Sequence, residues 1–363
     1  MCTNLLRKQS KEGNQEIVSA RTMDFGTIVK PFPVTLKPNI VVYPRGITFP
    51  VKSAFVEKLE EDFRLLPKKP IKWTNTYGFV AVDVGPNIFN ELPFKIEDIS
   101  PIFLDGMNEK GLSAASLWLS RSQYQLESDH ENNLMFLDVV GYVLGMCATV
   151  ADVKMALSTI NVTCPSKFLL EYPAHFIFID SNPNSNALVV EYINGKPNLY
   201  DVPNGVLTNE PAYPDMLKEL EKYKDLTIYQ KNKSKLPGLF GLPADSSPIS
   251  RFIRSTKFVE SAYSAANAQE SVSLSEIIIQ NIQVPIGTVV SSANKQFLDY
   301  TQWTVIRDHL NIMYYYKTFY NQTLKKIDLN ILDFSASKII TVPISEGEWN
   351  IDLTAKYTLS NKS

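Results

Sequence analysis

The sequence predicts an α+β protein in which antiparallel sheets pack against helices. Three observations predict it. Strand patterns cluster at both ends of the chain and in its middle. Helical patterns fall between those runs, with no regular βαβ alternation. The turns joining strands are short and rich in Gly and Asn, which suits hairpins and meanders.

The elements follow in order. "CTNLLRKQ" and "EIVSARTMDF" flank the turn-rich "KEGNQ" and read as a hairpin that places the N-terminus in a strand. Residues 31–53 are dotted with prolines and read as edge strand and loop, because proline cannot donate to a ladder. "YGFVAVDVG" (77–85) reads as a strand, and "SPIFLDGMNEKGLSAASLWLS" (100–120) as strand, turn, strand. Residues 133–147 are apolar at helical spacing, and Thr149 with Asp152 resembles a capping box opening "VADVKMALSTI". "HFIFIDSNPNSNALVVEYINGKPNLYDV" reads as a three-strand meander with a tight turn at Asn194-Gly195. Residues 218–224 suggest a short polar helix, 229–248 a loop, and "SRFIRSTKFVESAYSAANA" one helix. "TQWTVIRDHLNIMYYYKT" (301–318) closes the series as an aromatic, β-branched hairpin. No internal repeat, heptad or low-complexity segment is present.

Bulk properties narrow the class. The 363 residues carry a formal net charge of -2, with 44% hydrophobic and 20% charged residues. That balance argues against nucleic acid or an anionic membrane surface as the main partner. Three cysteines, Cys2, Cys147 and Cys164, are too few for a disulfide scaffold and suit a reducing compartment. No secretory leader precedes Cys2, and the most apolar window contains Asp138 and is short of a membrane span. The expectation is a cytoplasmic enzyme-sized protein without membrane insertion.

Common catalytic motifs are missing: no G-x-S-x-G elbow, no phosphate-binding glycine loop, no H-E-x-x-H and no C-x-x-C. His130, His175 and His309 are scattered, which supports neither a metal site nor a histidine base; each reads as a packed or solvated side chain. Cys2 remains. Methionine is normally trimmed before a small second residue, and the new α-amine would titrate near ~7.7–8.0, against ~8.5 for a thiol. Such an amine serves as a general base near neutral pH and is attached to the nucleophile it activates. On position alone an inconsequential Met-Cys start prevails, since many cytosolic proteins begin that way. Arg21 and Asp24 lie on the second strand of the hairpin that begins at Cys2, where a cation favours thiolate and a carboxylate can hold an amine. Three residues apart, they point to opposite faces unless a bulge or bend intervenes; a surface salt bridge fits the spacing too.

A leading Cys-Thr, "RTMDF", "DGMNEKGLSAASLWL", "VLTNEPAY" and "SRFIRS" occur in that order. In these motifs the chain resembles the choloylglycine hydrolase family of linear-amide C–N hydrolases, N-terminal-nucleophile enzymes that include penicillin V acylases and conjugated bile salt hydrolases. The resemblance covers most of the chain. It implies an αββα sandwich, two antiparallel sheets between helical layers, with residues 2–363 as one acylase domain after loss of Met1. It implies Cys2 as nucleophile and, through its amine, base. It implies Arg21 beside the sulfur, Asp24 orienting the amine, Asn209 donating to the oxyanion, and Arg251 completing the polar cluster in preference to Arg254. No cofactor or metal is implied. A homotetramer is, with Tyr314 and Tyr316 as exposed aromatics that either serve an interface or fill a sheet face.

The substrate is less determined. Bile salt hydrolases carry asparagine where this chain has Trp118, a substitution that resembles Gram-negative penicillin V acylases, some of which also cleave acyl-homoserine lactones. Trp118 either walls an apolar acyl site, with its backbone serving the oxyanion, or is plain core. Leu236, Leu239 and Phe240 in the 229–248 loop either meet an acyl chain or pack beneath the loop. The expected small-molecule partner is therefore a penicillin V-like or acyl-homoserine-lactone-like amide. The alternatives are a conjugated bile salt or, for a dead site, a bound ligand that is not cleaved. Glutamine amidotransferases also start Met-Cys, but this motif order does not suit them.

Overall fold

A computed structural model describes residues 1–11, 14–30, 32–33, 37–49, 66–85, 101–130, 132–165, 173–229, 238–290 and 297–357. The leading hairpin forms as its sequence dictates. Strands β1 (Cys2–Lys11) and β2 (Asn14–Lys30) pair antiparallel with Cys2 opposite Met23 and Asn4 opposite Arg21. β3 (Asn39–Tyr43), β4 (Phe79–Asp83), β5 (Phe103–Asn108) and β6 (Ser113–Trp118) follow, the last two joined through the "NEKG" turn. Gly111 adopts φ +79° there, a left-handed conformation that glycine enters at little cost.

Helices α1 (Val139–Met146) and α2 (Val150–Thr159) come next, the second opened by a complete capping box between Thr149 and Asp152. The meander is β7 (Ala174–Ile179), β8 (Ala187–Ile193) and β9 (Lys196–Val202). Its tight turn has Asn194 and Gly195 both at positive φ, the geometry of a type I′ turn. Then come α3 (Tyr213–Glu221), α4 (Pro248–Ser261) and α5 (Ala268–Gln280). β10 (Phe297–Asp308), β11 (Met313–Thr318), β12 (Asn321–Asp328) and β13 (Ile340–Pro343) are the last of the longer strands, and two-residue strands at Phe32–Pro33 and Val289–Val290 join the first sheet.

Two antiparallel sheets result. The first is seven-stranded, with its long strands ordered β1-β2-β10-β11-β12; the second has eight strands in the order β9-β8-β7-β6-β5-β4-β3-β13. Helices α4 and α5 pack on the outer face of the first sheet, and α1 and α2 on the outer face of the second. The architecture is an αββα sandwich. Gly106 on β5 permits the close approach of α1, since a Cβ there would lie 2.5 Å from Leu144 Cδ1 and 2.6 Å from the Val80 carbonyl. Residues Cys2 to Leu6 are buried throughout because β1 has a helix on one side and the second sheet on the other.

Several expectations need correction. The helix expected over 133–147 starts later: Asn133–Met135 is a short strand pairing parallel with Asn161–Thr163, and a 3-10 turn precedes α1. Period alone does not separate a buried strand from the first turn of a buried helix. The polar helix expected over 218–224 begins at Tyr213, with Pro214 in its first turn, and ends at Glu221. The single helix read through "SRFIRSTKFVESAYSAANA" ends at Ser261, where Ala262 turns extended, and Asn267 caps a separate α5. Tyr314 and Tyr316 are buried rather than exposed, because β11 lies inside the first sheet. Asn39–Tyr43 of the proline-dotted segment is not an edge strand, because β4 pairs on one side of it and β13 on the other. Loop residues 230–237, Leu236 among them, and 31, 34–36 and 50–53 of the proline-dotted segment lie outside the described residues.

Candidate active site

Cys2 lies at the start of β1, and the two faces of the hairpin deliver different groups to it. Arg21 and Met23 face inward with the Cys2 side chain: Arg21 Nη2 stands 3.7 Å from Cys2 Sγ and donates to the Ser116 carbonyl of β6 at 2.5 Å. Met23 Sδ is 3.4 Å from Cys2 Sγ. Thr22 and Asp24 face outward toward α4. The Asp24 carboxylate accepts from Thr22 Oγ1 at 3.1 Å and Thr301 Oγ1 at 2.5 Å, and lies 3.8 Å from Arg251 Nη1. The β2–β10 register shifts between Thr301 and Trp303, opposite Asp24 and Met23. An irregularity therefore sits where spacing alone would have kept Arg21 and Asp24 apart. Because the site is at a strand end, groups from both faces converge on it.

Arg251 enters from the first turn of α4. Nη1 donates to the Cys2 carbonyl at 2.6 Å and to Thr3 Oγ1 at 2.5 Å, while Nη2 donates to Asn209 Oδ1 at 2.8 Å. Burial lowers its pKa, and the neighbouring Asp24 and Cys2 act in the opposite direction. Arg254 turns away, donating to the carbonyls of Asn281, Pro243 and Asp245. Asn209 is oriented by three bonds: Oδ1 accepts from Arg251 and, at 2.7 Å, from Cys2 N, and Nδ2 donates to the Trp118 carbonyl at 3.0 Å. With both lone pairs of Oδ1 occupied, the amide cannot flip, and its second N–H is directed elsewhere.

Behind Arg21 is a buried charge cluster. Asp105 Oδ2 lies 3.6 Å from Arg21 Nη1 and 3.2 Å from Arg307 Nη1, and Asp105 Oδ1 accepts from Tyr314 OH at 2.9 Å. Arg307 Nη2 donates to Asn4 Oδ1 at 2.8 Å. One carboxylate faces two guanidiniums, so this cluster leaves positive charge beside Cys2 Sγ, which favours an anion there.

A cleft opens over the sulfur. It is lined by Met1, Cys2, Met23, Asp24, Phe25, Leu104, Ser116, Leu117, Trp118, Leu137, Pro173 and Ala174. Trp118 is 37% exposed, the state of a cleft wall rather than of core. Leu239 is buried and Phe240 is 66% exposed, and neither lines this cleft. Met23, Phe25, Leu104, Leu137 and Pro173 are lining residues that sequence reasoning missed. For two of them a signal existed: Met23 and Phe25 alternate with Arg21 and so share its face. Leu104 and Leu137 sit in apolar runs that read as ordinary core.

Met1 is attached in this structure. Its amine donates to the Asp24 carbonyl, and its own carbonyl accepts from Asp24 N at 2.8 Å. Cys2 N is therefore an amide N–H in this form. Among the described residues no group of three or more His, Cys, Asp or Glu could hold a metal ion, and no helix is long and apolar enough to cross a membrane.

Residues 2–342 match the family of linear amide C-N hydrolases, choloylglycine hydrolase family. The chain belongs to that family. It is a hydrolase of carbon–nitrogen bonds in linear amides. A bile salt hydrolase/transferase of Clostridium perfringens is 32% identical over 265 residues, covering 68% of this chain and 78% of the relative. A penicillin V acylase of Pectobacterium atrosepticum is 25% identical over 284 residues, covering 73% and 69%. The fold is shared with a crystal structure of the C2A mutant of conjugated bile acid hydrolase from C. perfringens, at TM-score 0.71 and 24% identity over 94% of this chain and 96% of that one. It is also shared with penicillin V acylase from Agrobacterium tumefaciens, at TM-score 0.70 and 22% identity over 94% and 90%.

Proposed function

We propose that Cys2, freed of Met1, is both nucleophile and base of an amide acylase. The observation that carries this reading is the pair of contacts at Cys2: a guanidinium 3.7 Å from the sulfur, and a side-chain amide oxygen 2.7 Å from the nitrogen. Removing Met1 turns that nitrogen into an α-amine, for which Asn209 Oδ1 is a ready acceptor.

The chemistry then closes with this chain's own groups. The α-amine takes the proton of the Cys2 thiol and becomes an ammonium, and Arg21, 3.7 Å from Sγ, stabilises the thiolate that remains. The sulfur attacks the amide carbonyl, forming the C–S bond and placing a negative charge on oxygen. The remaining N–H of Asn209 and a backbone N–H donate to that oxyanion, a contribution of ~3 kcal/mol each. Collapse breaks the C–N bond as the α-ammonium protonates the leaving amine. The neutral α-amine then takes a proton from water, whose oxygen attacks the thioester and releases the acid. Asp24, whose main-chain bonds to Met1 are released with that residue, orients the freed α-amine, and its carboxylate holds Arg251.

The cleft selects an apolar acyl group. Its wall is formed by Met23, Phe25, Leu104, Leu137, Pro173 and the Trp118 ring, and among the described residues no Lys or Arg lines it. An aryloxyacetyl or medium alkyl acyl group fits that wall, which favours penicillin V and acyl-homoserine lactones. Hydrolysis of a conjugated bile salt is the second reading, supported by the 32% identity to a bile salt hydrolase/transferase. A binding protein with a dead site is the third. We further read residues 2–363 as one catalytic unit that works in the cytoplasm and assembles as a tetramer. The test is product analysis on penicillin V, a long-chain acyl-homoserine lactone and glycocholate, with Cys2→Ser as control. Turnover of glycocholate alone reverses the substrate order, and turnover by Cys2→Ser removes the nucleophile.

A further inference from the structure

We propose that His175 and Glu191 are positioning residues that clamp the segment carrying Asn209; this rests on the reading of Asn209 as oxyanion donor. Both side chains are fully buried, and the mechanism does not use either. His175 Nδ1 is 2.9 Å from Glu191 Oε1, and Nε2 is 3.0 Å from the Thr208 carbonyl. A carbonyl only accepts, so Nε2 carries a hydrogen, and one further proton lies between Nδ1 and Oε1. Glu191 also accepts the Tyr213 N–H, at 3.0 Å on Oε1 and 3.1 Å on Oε2. One buried pair therefore holds both ends of the stretch Thr208 to Tyr213, and Asn209 is its second residue.

The same pair reaches the rest of the site. Thr208 Oγ1 donates to the carbonyl of Pro248 at 3.0 Å, at the start of the helix that carries Arg251. On β7, Ala174, the neighbour of His175, pairs with Trp118, whose carbonyl accepts from Asn209 Nδ2. The clamp thus fixes Asn209 through its main chain and through its side-chain acceptor. A buried polar pair is weak support for stability compared with apolar packing, but it is directional. Direction is what an oxyanion donor needs, since a displacement of about 1 Å costs on the order of 10²-fold in rate.

The test is a double-mutant cycle on a chromogenic 4-nitroanilide of phenoxyacetic or decanoic acid, whichever the wild type turns over. His175→Gln and Glu191→Leu are each made alone and with Asn209→Ala. Alone, each lowers kcat by roughly 10- to 100-fold with KM within about threefold, because the lost term belongs to the transition state. Alkylation of Cys2 by iodoacetamide stays within about twofold, since thiol reactivity does not use the oxyanion site. In the Asn209→Ala background each costs less than about twofold more. Glu191→Gln can donate to Nδ1 and still accept from Tyr213, so it retains turnover within about threefold. Equal losses in both backgrounds, or alkylation falling in step with turnover, overturn the proposal. If Glu191→Leu does not fold, the His175→Gln cycle decides alone. Wild-type kcat in Asn209→Ala would remove the underlying oxyanion reading, and turnover by Cys2→Ser would show failure of the nucleophile separately.

Discussion

Arg21 and Cys2 form the closest charge relationship to the sulfur: guanidinium Nη2 lies 3.7 Å from Sγ, and both side chains are buried between the sheets. Arg21 cannot swing away, because Ser116 and Asp105 hold its other faces. Arg21→Leu leaves Asp105 paired with Arg307 and removes the cation facing the sulfur. Alkylation of Cys2 by iodoacetamide at neutral pH is expected to slow about tenfold, as thiolate becomes scarcer. An unchanged alkylation rate would show that Arg21 only packs.

Asn209 is held by Cys2 N, Arg251 and the Trp118 carbonyl, with one N–H remaining. Asn209→Ala is expected to lower kcat by ~10²–10³ while KM changes little. Steady-state kinetics on the preferred substrate check this. A loss confined to KM would place Asn209 in substrate binding instead.

Trp118 supplies the aromatic wall of the cleft. Trp118→Asn removes apolar contact worth roughly 1.5 kcal/mol or more. The expected result is a tenfold or greater fall in kcat/KM on penicillin V, with a smaller change on glycocholate. The two values, measured on one preparation, decide it. A parallel fall on both would assign Trp118 to the fold.

Acid stability has a specific source in His309. It is buried, with Nδ1 against the Gly111 carbonyl and Nε2 against Ser19 Oγ, each at 2.8 Å. Burial first, opposed by the Gly111 bond and reinforced by Arg307, pushes its pKa down to about 3. The unfolded value is ~6.5, so the folded state resists protonation. This contribution is complete above ~6.5 and is lost at up to about 1.4 kcal/mol per unit as pH falls toward 3. His309→Gln should flatten the slope of unfolding free energy against pH in that window. An identical slope would mean that other groups control acid unfolding.

Much of this molecule is legible in its residues, for physical reasons that differ by element. The β1–β2 hairpin, β5–β6, the meander and β10–β11 announce themselves through alternation and turn chemistry. The Thr149–Asp152 box is a local hydrogen-bond pattern that needs no tertiary context. What stayed hidden depended on distant partners. Asn133–Met135 is a strand only because Asn161–Thr163 lies beside it. The second half of the helical region divides between Ser261 and Ala268, where "AYSAAN" supplies mostly small residues that suit either a continued helix or a break. Arg21, Asn209 and Arg251 could be named in advance through motif order, yet their shared hydrogen bonds could not. The sequence offers His175 only as a packed or solvated side chain and Tyr314 as an interface residue or the filling of a sheet face, because nothing in it reveals that Glu191 and Asp105 wait for them inside the sandwich.

The central claim is that Cys2 must become the first residue. As long as Met1 is attached, its carbonyl bonds to Asp24 N, and Cys2 N is an amide that cannot take a proton from water. The direct measurement is intact mass on the same preparation used for turnover, with the Met1-retaining and Met1-lacking fractions separated. Turnover is expected to follow the fraction that lacks Met1, and Cys2→Ser to be inactive in that form. Full activity in a fraction that retains Met1 would contradict the account.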